Sequence, residues 1–233
     1  MKLRGLIKKS GQTCTWALGE GSAGMPHASI AAFRHESVHG SRYSFAPARI
    51  PPGSADGDYG SVGMIGHAIL SHGLESGPLA TKVSALAAVA ENLGWTTERP
   101  DYLAVDRVGR FGDVDARIAI LRERTAAMTG PLVLAGSSMG AFVSALVSRD
   151  VPCAGLFLMA PPPWIEGYPQ QLEAATIPTL IVHGWDDELI PAQAVIDWAH
   201  PRRDQLVLVN DSHRLANHVA FCAEQFAAFL RSL

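Results

Sequence analysis

Residues 132–147, with the sequence LVLAGSSMGAFVSALV, decide the fold. The four apolar residues at its start predict a buried strand, and residues 141–147 predict a helix. Between them lies a Gly-x-Ser-x-Gly turn centred on Ser138. A strand-to-helix turn this tight strains its middle residue, and glycines at 136 and 140 let neighbouring chain pass close by. The turn would present the Ser138 hydroxyl above a sheet, at the positive end of a helix.

A glycine-rich turn of a nucleotide-binding protein is the alternative interpretation of this segment. Such turns are followed by an acidic residue that binds ribose, or they contain the lysine of a phosphate-binding loop. The sequence supplies neither at the required spacing. The pattern therefore favours a nucleophilic serine at position 138.

Apolar runs alternate with helical patterns from residue 64 to the C-terminus. The runs lie at 67–71, 132–135, 154–160, 179–183 and 205–209, with a weaker one at 96–100. The helical patterns lie at 78–93, 113–128, 139–148, 192–199 and 215–230. Continuous apolar runs are typical of strands buried on both faces, and helical crossovers join such strands in parallel. We predict an α/β fold with a mostly parallel sheet of about six strands and helices on both faces.

A serine nucleophile needs a base within hydrogen-bond reach, and the base needs an acid that fixes its tautomer. In Ser-x-Gly turns of this type the acid and then the histidine follow the serine along the chain. Asp187 follows the run at 179–183, and His213 follows the run at 205–209. Sites in parallel sheets form at the carboxyl ends of the strands, where both residues would lie. Asp186 and Glu188 are the neighbouring acids that could take the place of Asp187.

A family resemblance begins with these residues. The segment 183–191, HGWDDELIP, resembles the HGxxDxxVP signature around the catalytic acid of many α/β-hydrolases, with Ile190 in the valine position. The segment 211–215, DSHRL, resembles the loop of their catalytic histidine. The resemblance covers roughly residues 64–233. It implies an α/β-hydrolase fold with a triad of Ser138, Asp187 and His213.

A narrower resemblance adds the segment 71–78, SHGLESGP, and the pair Thr81-Lys82. Together with the serine turn, these residues look like those of small, lidless bacterial esterases. Depalmitoylating and acyl-glucuronide-cleaving relatives have similar motifs. The resemblance implies cleavage of a small-molecule acyl ester or thioester without a cofactor. It also implies an oxyanion hole formed by the backbone N–H groups of Leu74 and Met139.

The short connection between the runs at 154–160 and 179–183 leaves no room for a large cap domain. Trp164 and Tyr168 in this connection are candidates for an apolar substrate-binding wall, although plain loop packing explains them equally well. His72 and His183 each precede a glycine at a strand end, and we expect both to hold loops in place rather than to act as the base.

Composition excludes several classes of protein. A net charge of -3 and a pI near 6.3 give no basic surface for nucleic acid, and no apolar run is long enough to span a bilayer. Three scattered cysteines, Cys14, Cys153 and Cys222, are typical of reduced thiols and favour a cytoplasmic protein.

The spacing of the histidines, cysteines and carboxylates predicts no metal site. His27, His35 and His39 lie near one another in the sequence, but their spacing matches no compact metal site. The oligomeric state is left open.

Residues 1–63 differ from the rest of the chain, with seven Lys/Arg against four Asp/Glu and many Gly, Pro and Ser residues. We predict an irregular or disordered extension, followed by a hydrolase domain at 64–233. Three accounts of the extension are open: a flexible segment, a degraded pair of edge strands, or upstream sequence ahead of a start at Met64.

Two functions other than ester cleavage are open at this stage. A small aminopeptidase or amidase would use the same triad with an acidic pocket for the substrate amine; Glu75 and Glu166 are the unassigned acids. A non-catalytic binding protein could share the fold, because fold alone does not imply activity. Retention of all three triad residues favours an enzyme.

Overall fold

The computed structural model describes residues 65–74, 76–108 and 111–233, together with two strands near the N-terminus. Strands β1 (Arg4–Lys9) and β2 (Gln12–Ala17) pair antiparallel. A pair of strands is one of the three accounts that the sequence left open, and the irregular extension at 1–63 stays a prediction. The other residues of the extension lie outside the described residues, and the chain divides into units at Met1–Ala55 and Asp56–Leu233. The boundary at residue 63 stays a prediction.

The second unit contains one six-stranded sheet in the order β4-β3-β5-β6-β7-β8, with every neighbouring pair parallel. This confirms the predicted sheet. The strands are β3 (Gly66–Ser71), β4 (Trp95–Glu98), β5 (Leu132–Ser137), β6 (Gly155–Met159), β7 (Thr179–Gly184) and β8 (Gln205–Val209).

Helices follow every strand of this sheet except β6, which a connection without a helix joins to β7. They are α1 (Thr81–Asn92), α2 (Leu103–Asp106), α3 (Val114–Ala126), α4 (Met139–Ser148), α5 (Ala192–Arg202) and α6 (Val219–Ser232), with a 3₁₀ turn at Ala216–His218 before the last. The predicted helical patterns all form helices. The four-residue helix α2 was missed, because a single turn shows no period.

The apolar residues of the central strands supply both faces of the sheet, since successive side chains point to opposite sides. On one face, Leu134 and Leu158 pack with Phe142 and other residues of α3, α4 and α5. On the other, Val133 and Phe157 pack with residues of α1 and α6. The continuous apolar runs arise from this double burial, which confirms the prediction of helices on both faces.

Residues 160–178, between β6 and β7, contain no helix or strand. This connection is where a cap would be inserted, so the prediction of a fold without a large cap domain is confirmed. Within the described part of the chain, no helix is both long and apolar enough to cross a membrane.

Candidate active site

Ser138 lies in the turn between β5 and α4, at the carboxyl edge of the sheet. Its backbone has φ 53° and ψ -121°, a conformation that non-glycine residues rarely adopt. The Ser138 N–H donates to the carbonyl oxygen of Met159 at 2.8 Å, which ties the turn to β6. Backbone strain at a residue held this firmly is typical of a nucleophile turn.

Gly140 makes this turn sterically feasible. A Cβ atom on Gly140 would lie 2.1 Å from the Ser71 carbonyl oxygen and 2.6 Å from that of His72. The loop after β3 therefore presses directly against the start of α4. Because both neighbours are backbone atoms, neither can move aside without shifting the sheet or the loop.

We expect Gly140→Ala to lower the free energy of unfolding by about 1–3 kcal/mol or more, because the added methyl group overpacks backbone. Urea denaturation of the variant beside the wild type measures the change. Gly77→Ala is the matched control, since its Cβ would meet only a leucine methyl group at 3.6 Å. Equal stability of the two variants would contradict the close packing of the turn.

Ser138, His213 and Asp187 form a continuous hydrogen-bonded chain, although they are far apart in sequence. Nε2 of His213 lies 2.9 Å from the Ser138 hydroxyl oxygen, and Nδ1 of His213 lies 2.8 Å from Oδ2 of Asp187. With the Nδ1 proton donated to the carboxylate, Nε2 is left free to accept the serine proton. The structure thus brings the three predicted residues together in the order that base catalysis requires.

The Asp187 side chain is fully buried, and its carboxylate is occupied by donors. Its Oδ1 accepts the N–H groups of Leu189 and Ile190, at 3.0 and 2.8 Å. Burial alone would raise the pKa of Asp187, but the hydrogen bonds from His213 and from these backbone groups outweigh it and hold the pKa below its usual value. The carboxylate is therefore ionised at neutral pH.

The two neighbouring acids take other positions. Asp186 is exposed, and Glu188 accepts the backbone N–H of His213 at 3.1 Å. Neither carboxylate bonds the His213 ring. The geometry agrees with the choice of Asp187 as the partner of the imidazole.

A second acid fixes the loop that carries His213. Asp211 is 6% exposed and accepts the backbone N–H groups of Ser212 and Asn217. It also accepts Nδ1–H of His218 at 2.9 Å. This network closes the loop into a compact turn, so the imidazole of His213 projects from a fixed base.

His72 and His183 both bind backbone, as the sequence predicted. Nε2 of His183 donates to the Ile190 carbonyl at 3.0 Å and lies 3.6 Å from Oδ2 of Asp187, the oxygen that also faces His213. Burial lowers the pKa of His183 and of His72, so both rings are neutral at pH 7.

The two predicted oxyanion donors come from different segments beside Ser138. Met139 is the first residue of α4, so its N–H has no acceptor within the helix. Leu74 lies in the loop after β3, and the neighbouring Gly73 passes within 3.5 Å of the Ser138 side chain as measured from a Cβ built on it. Both residues also line the cavity in front of Ser138.

This cavity has a volume of about 920 Å³, within the range of about 300–1,000 Å³ that is typical of small-molecule sites. Ser138, His213 and Trp164 line it, and the Trp164 side chain is 56% exposed at its mouth. Tyr168 lies outside the wall: its hydroxyl donates to Asp115 at 2.7 Å and its ring packs edge-on against Phe142. The prediction was that Trp164 and Tyr168 line the cavity together, and the structure differs from it at Tyr168. This residue packs its loop against α3 and α4 instead.

Four further side chains approach the predicted machinery and had no assigned role. Arg117, Tyr102 and Ser76 surround the loop at residues 72–74, and Lys82 lines the cavity. Burial lowers the pKa of Lys82, although nearby Cys222, Asp187 and Asp211 act in the opposite direction. Among the described residues, no group of three or more His, Cys, Asp or Glu side chains could hold a metal ion. His27, His35 and His39 lie outside that part of the chain.

No protein-family model and no curated relative matches the chain, but solved structures do. A protein assigned to the α/β-hydrolase superfamily from Xanthomonas campestris pv. campestris is 52% identical, with 72% of this chain and 99% of that chain covered and a TM-score of 0.70. An α/β serine hydrolase homologue from Coxiella burnetii is 26% identical over 70% of this chain and 84% of that one, with a TM-score of 0.58.

A serine hydrolase without a lid, also from Xanthomonas campestris, is 22% identical over 71% of this chain and 81% of that one, with a TM-score of 0.57; it shares the fold. The identity and coverage of the first relative show the family. The chain belongs to the α/β-hydrolase superfamily, which supports a hydrolase activity.

Proposed function

We propose that this protein is a serine hydrolase that cleaves carboxylic esters or thioesters through an acyl-enzyme intermediate. The observation that carries the proposal is the hydrogen-bonded chain from Ser138 through His213 to Asp187, with distances of 2.9 and 2.8 Å. Ser138 and His213 line a cavity large enough for a small ester, and Asp187 lies buried behind them. Apart from the substrate and water, the reaction uses only groups of this chain.

In the first half-reaction, the Ser138 hydroxyl oxygen attacks the acyl carbonyl while Nε2 of His213 takes its proton. The carbonyl oxygen becomes an oxyanion, which the N–H groups of Met139 and Leu74 stabilise by about 3 kcal/mol each. Asp187 stabilises the imidazolium and holds its orientation. The intermediate then collapses: the bond to the leaving group breaks, and the imidazolium protonates the departing alcohol or thiol.

In the second half-reaction, water attacks the acyl-serine ester and gives its proton to His213. The oxyanion forms again in the same position. Its collapse breaks the bond to Ser138, returns the proton to the serine oxygen and releases the carboxylic acid.

The form of the cavity supports small or medium acyl groups. The connection that could carry a cap has no helix or strand, and Trp164 and Leu189 are exposed apolar residues on the wall, at 56% and 68%. An open site of this kind covers little of a long acyl chain. Trp164 contributes apolar contact near the mouth.

We expect a p-nitrophenyl ester series from acetate to palmitate to show the highest kcat/KM at short or medium length, because a longer chain leaves the cavity for water. Initial rates of p-nitrophenol release measure this. Trp164→Ala should raise KM for medium-length esters and leave the acetate rate nearly unchanged, with the exposed Trp185→Ala as control. An optimum at palmitate would contradict the open site, and silence toward the whole series would contradict ester cleavage.

A small aminopeptidase is the second candidate, and one observation favours it. Glu166 and Glu188 both line the cavity, where a carboxylate could bind a substrate amine. Lys82 and Arg214 line the same cavity and oppose this effect. Amino-acid p-nitroanilides separate the candidates: turnover of these above the p-nitrophenyl esters would favour the peptidase.

A further inference from the structure

We propose that Arg117 is a positioning residue for the oxyanion hole. It holds the peptide unit between Gly73 and Leu74 from behind, so that the Leu74 N–H points toward the reacting carbonyl. The inference rests on the proposed function, because it concerns the donor that stabilises the oxyanion. Neither the triad nor the resemblance to esterases assigns a role to this arginine.

The argument begins with the geometry of one peptide bond. A trans peptide is planar, so the carbonyl of Gly73 and the N–H of Leu74 point in opposite directions. Fixing the direction of the carbonyl therefore fixes the direction of the N–H. The Gly73 carbonyl is held unusually well.

Three side chains donate to the Gly73 carbonyl oxygen. Nη2 of Arg117 lies 3.2 Å away, the Ser76 hydroxyl lies 2.8 Å away, and Nδ1 of His72 lies 2.8 Å away. Nε2 of His72 accepts the backbone N–H of Tyr102 at 3.1 Å, so the proton of the neutral ring is on Nδ1 and is donated to Gly73. The second carbonyl of the loop, that of His72, accepts Nη1 of Arg117 at 2.9 Å.

Arg117 is itself immobilised. The side chain is completely buried, and Nε and Nη2 each lie 2.6 Å from one oxygen of Asp106. Its guanidinium stacks 4.5 Å from the ring centre of Tyr102, whose hydroxyl bonds Ser71. A planar guanidinium can bind a carboxylate with one edge and two carbonyls with another, which a lysine ammonium cannot do.

The loop held in this way lies directly against the nucleophile turn. A Cβ atom on Gly73 would lie 3.3 Å from the Ser137 carbonyl and 3.5 Å from Cβ of Ser138. A shift of about 1 Å in such a position can cost on the order of 100-fold in rate. Loss of the Arg117 contacts should therefore reduce transition-state binding while substrate binding changes little.

Two variants test the inference in the full-length protein. Arg117→Lys keeps the charge but loses the forked contacts; Ser76→Ala removes one donor to Gly73 without touching a buried charge. The matched control is Arg122→Lys, the same change on an exposed side chain of α3. Far-UV circular dichroism and thermal melting show whether each variant folds, and if Arg117→Lys does not, Ser76→Ala decides the matter.

The readouts are kcat and KM for p-nitrophenyl acetate, and the inhibition constant of an aryl trifluoromethyl ketone, which binds serine as an oxyanion. Since deleting one donor costs roughly 100- to 1,000-fold, misdirecting it should lower kcat by about 10- to 100-fold in Arg117→Lys and by a few-fold in Ser76→Ala. KM should change less than twofold, and the inhibitor should weaken by the same factor as kcat. If Arg117 and Ser76 only stabilised the fold, kcat and the affinity for the inhibitor would not fall by the same factor.

The outcomes separate this inference from the proposed function. A wild type that hydrolyses no ester overturns the proposed function, and the inference with it. If the wild type is active, the inference alone is overturned by any of three results for Arg117→Lys and Ser76→Ala. The variants keep the wild-type kcat, they change only KM, or they bind the ketone as tightly as the wild type does. A parallel loss of kcat and ketone affinity, absent in Arg122→Lys, supports it.

Discussion

Ser138→Ala is expected to lower kcat for p-nitrophenyl acetate by about 10⁴- to 10⁶-fold, because the variant lacks the oxygen that forms the acyl-enzyme. The substitution removes one hydroxyl and should leave the fold intact. Rates of p-nitrophenol release, measured with enough protein to detect slow turnover, give the size of the loss.

Ser137→Ala provides the matched control. Ser137 lies in the same turn and is 4% exposed, but its hydroxyl is not bonded to His213. This variant should keep most of its activity. If Ser137→Ala loses as much activity as Ser138→Ala, or if Ser138→Ala stays active, Ser138 is not the nucleophile.

Asp187→Asn should lower kcat by about 10³- to 10⁴-fold. An amide in place of the carboxylate can no longer stabilise the imidazolium, and its NH₂ group favours the wrong tautomer of His213. The backbone donors at Leu189 and Ile190 still have an amide oxygen to bind, so the loop should remain in place. The loss should appear in kcat far more than in KM.

Asp186→Asn and Glu188→Gln are the natural controls for this variant, since each removes a charge beside Asp187. Asp186 is exposed, so Asp186→Asn should change kcat very little. Glu188 accepts the His213 backbone N–H, which the glutamine oxygen can still do, so a small loss is expected. A loss in either control equal to that of Asp187→Asn would move the role of the acid to that residue.

Sequence patterns predicted the sheet well because its strands are buried on both faces. Strand β5 has helices on both sides, so its residues 132–135 form a continuous apolar run that no exposed face interrupts. The serine turn could be predicted because only small residues fit where α4 meets β3 and β5. Gly136 and Gly140 occupy the positions of this close contact, so the sequence pattern shows it.

The side chains that hold the loop at residues 72–74 could not be predicted in the same way. Arg117 lies on α3, Asp106 on α2 and Tyr102 in the loop before α2. Only folding brings these residues to the loop at 72–74. One signal was available. Val114, Ile118 and Leu121 form the apolar stripe of α3, and Arg117 falls within that stripe, where an arginine must be paired.

Tyr168 illustrates the limit of assigning pocket residues from chain position. It shares a short connection with Trp164, which suggested a common wall. The structure instead packs its ring against Phe142, and its hydroxyl bonds Asp115 on α3. Burial and that neighbouring carboxylate raise the pKa of Tyr168 to about 12, so the hydroxyl remains a donor at neutral pH. Four residues are enough for a loop to turn from the cavity to the helices behind it.

The central claim is that Ser138 is the acyl-accepting nucleophile, and covalent labelling tests it most directly. The full-length protein is treated with a fluorophosphonate, digested, and sequenced by mass spectrometry, beside heat-denatured protein and Ser138→Ala. We predict one adduct per chain, located on Ser138, in the native wild type and none in either control. An adduct on another residue, or native protein that remains unlabelled, would contradict the account.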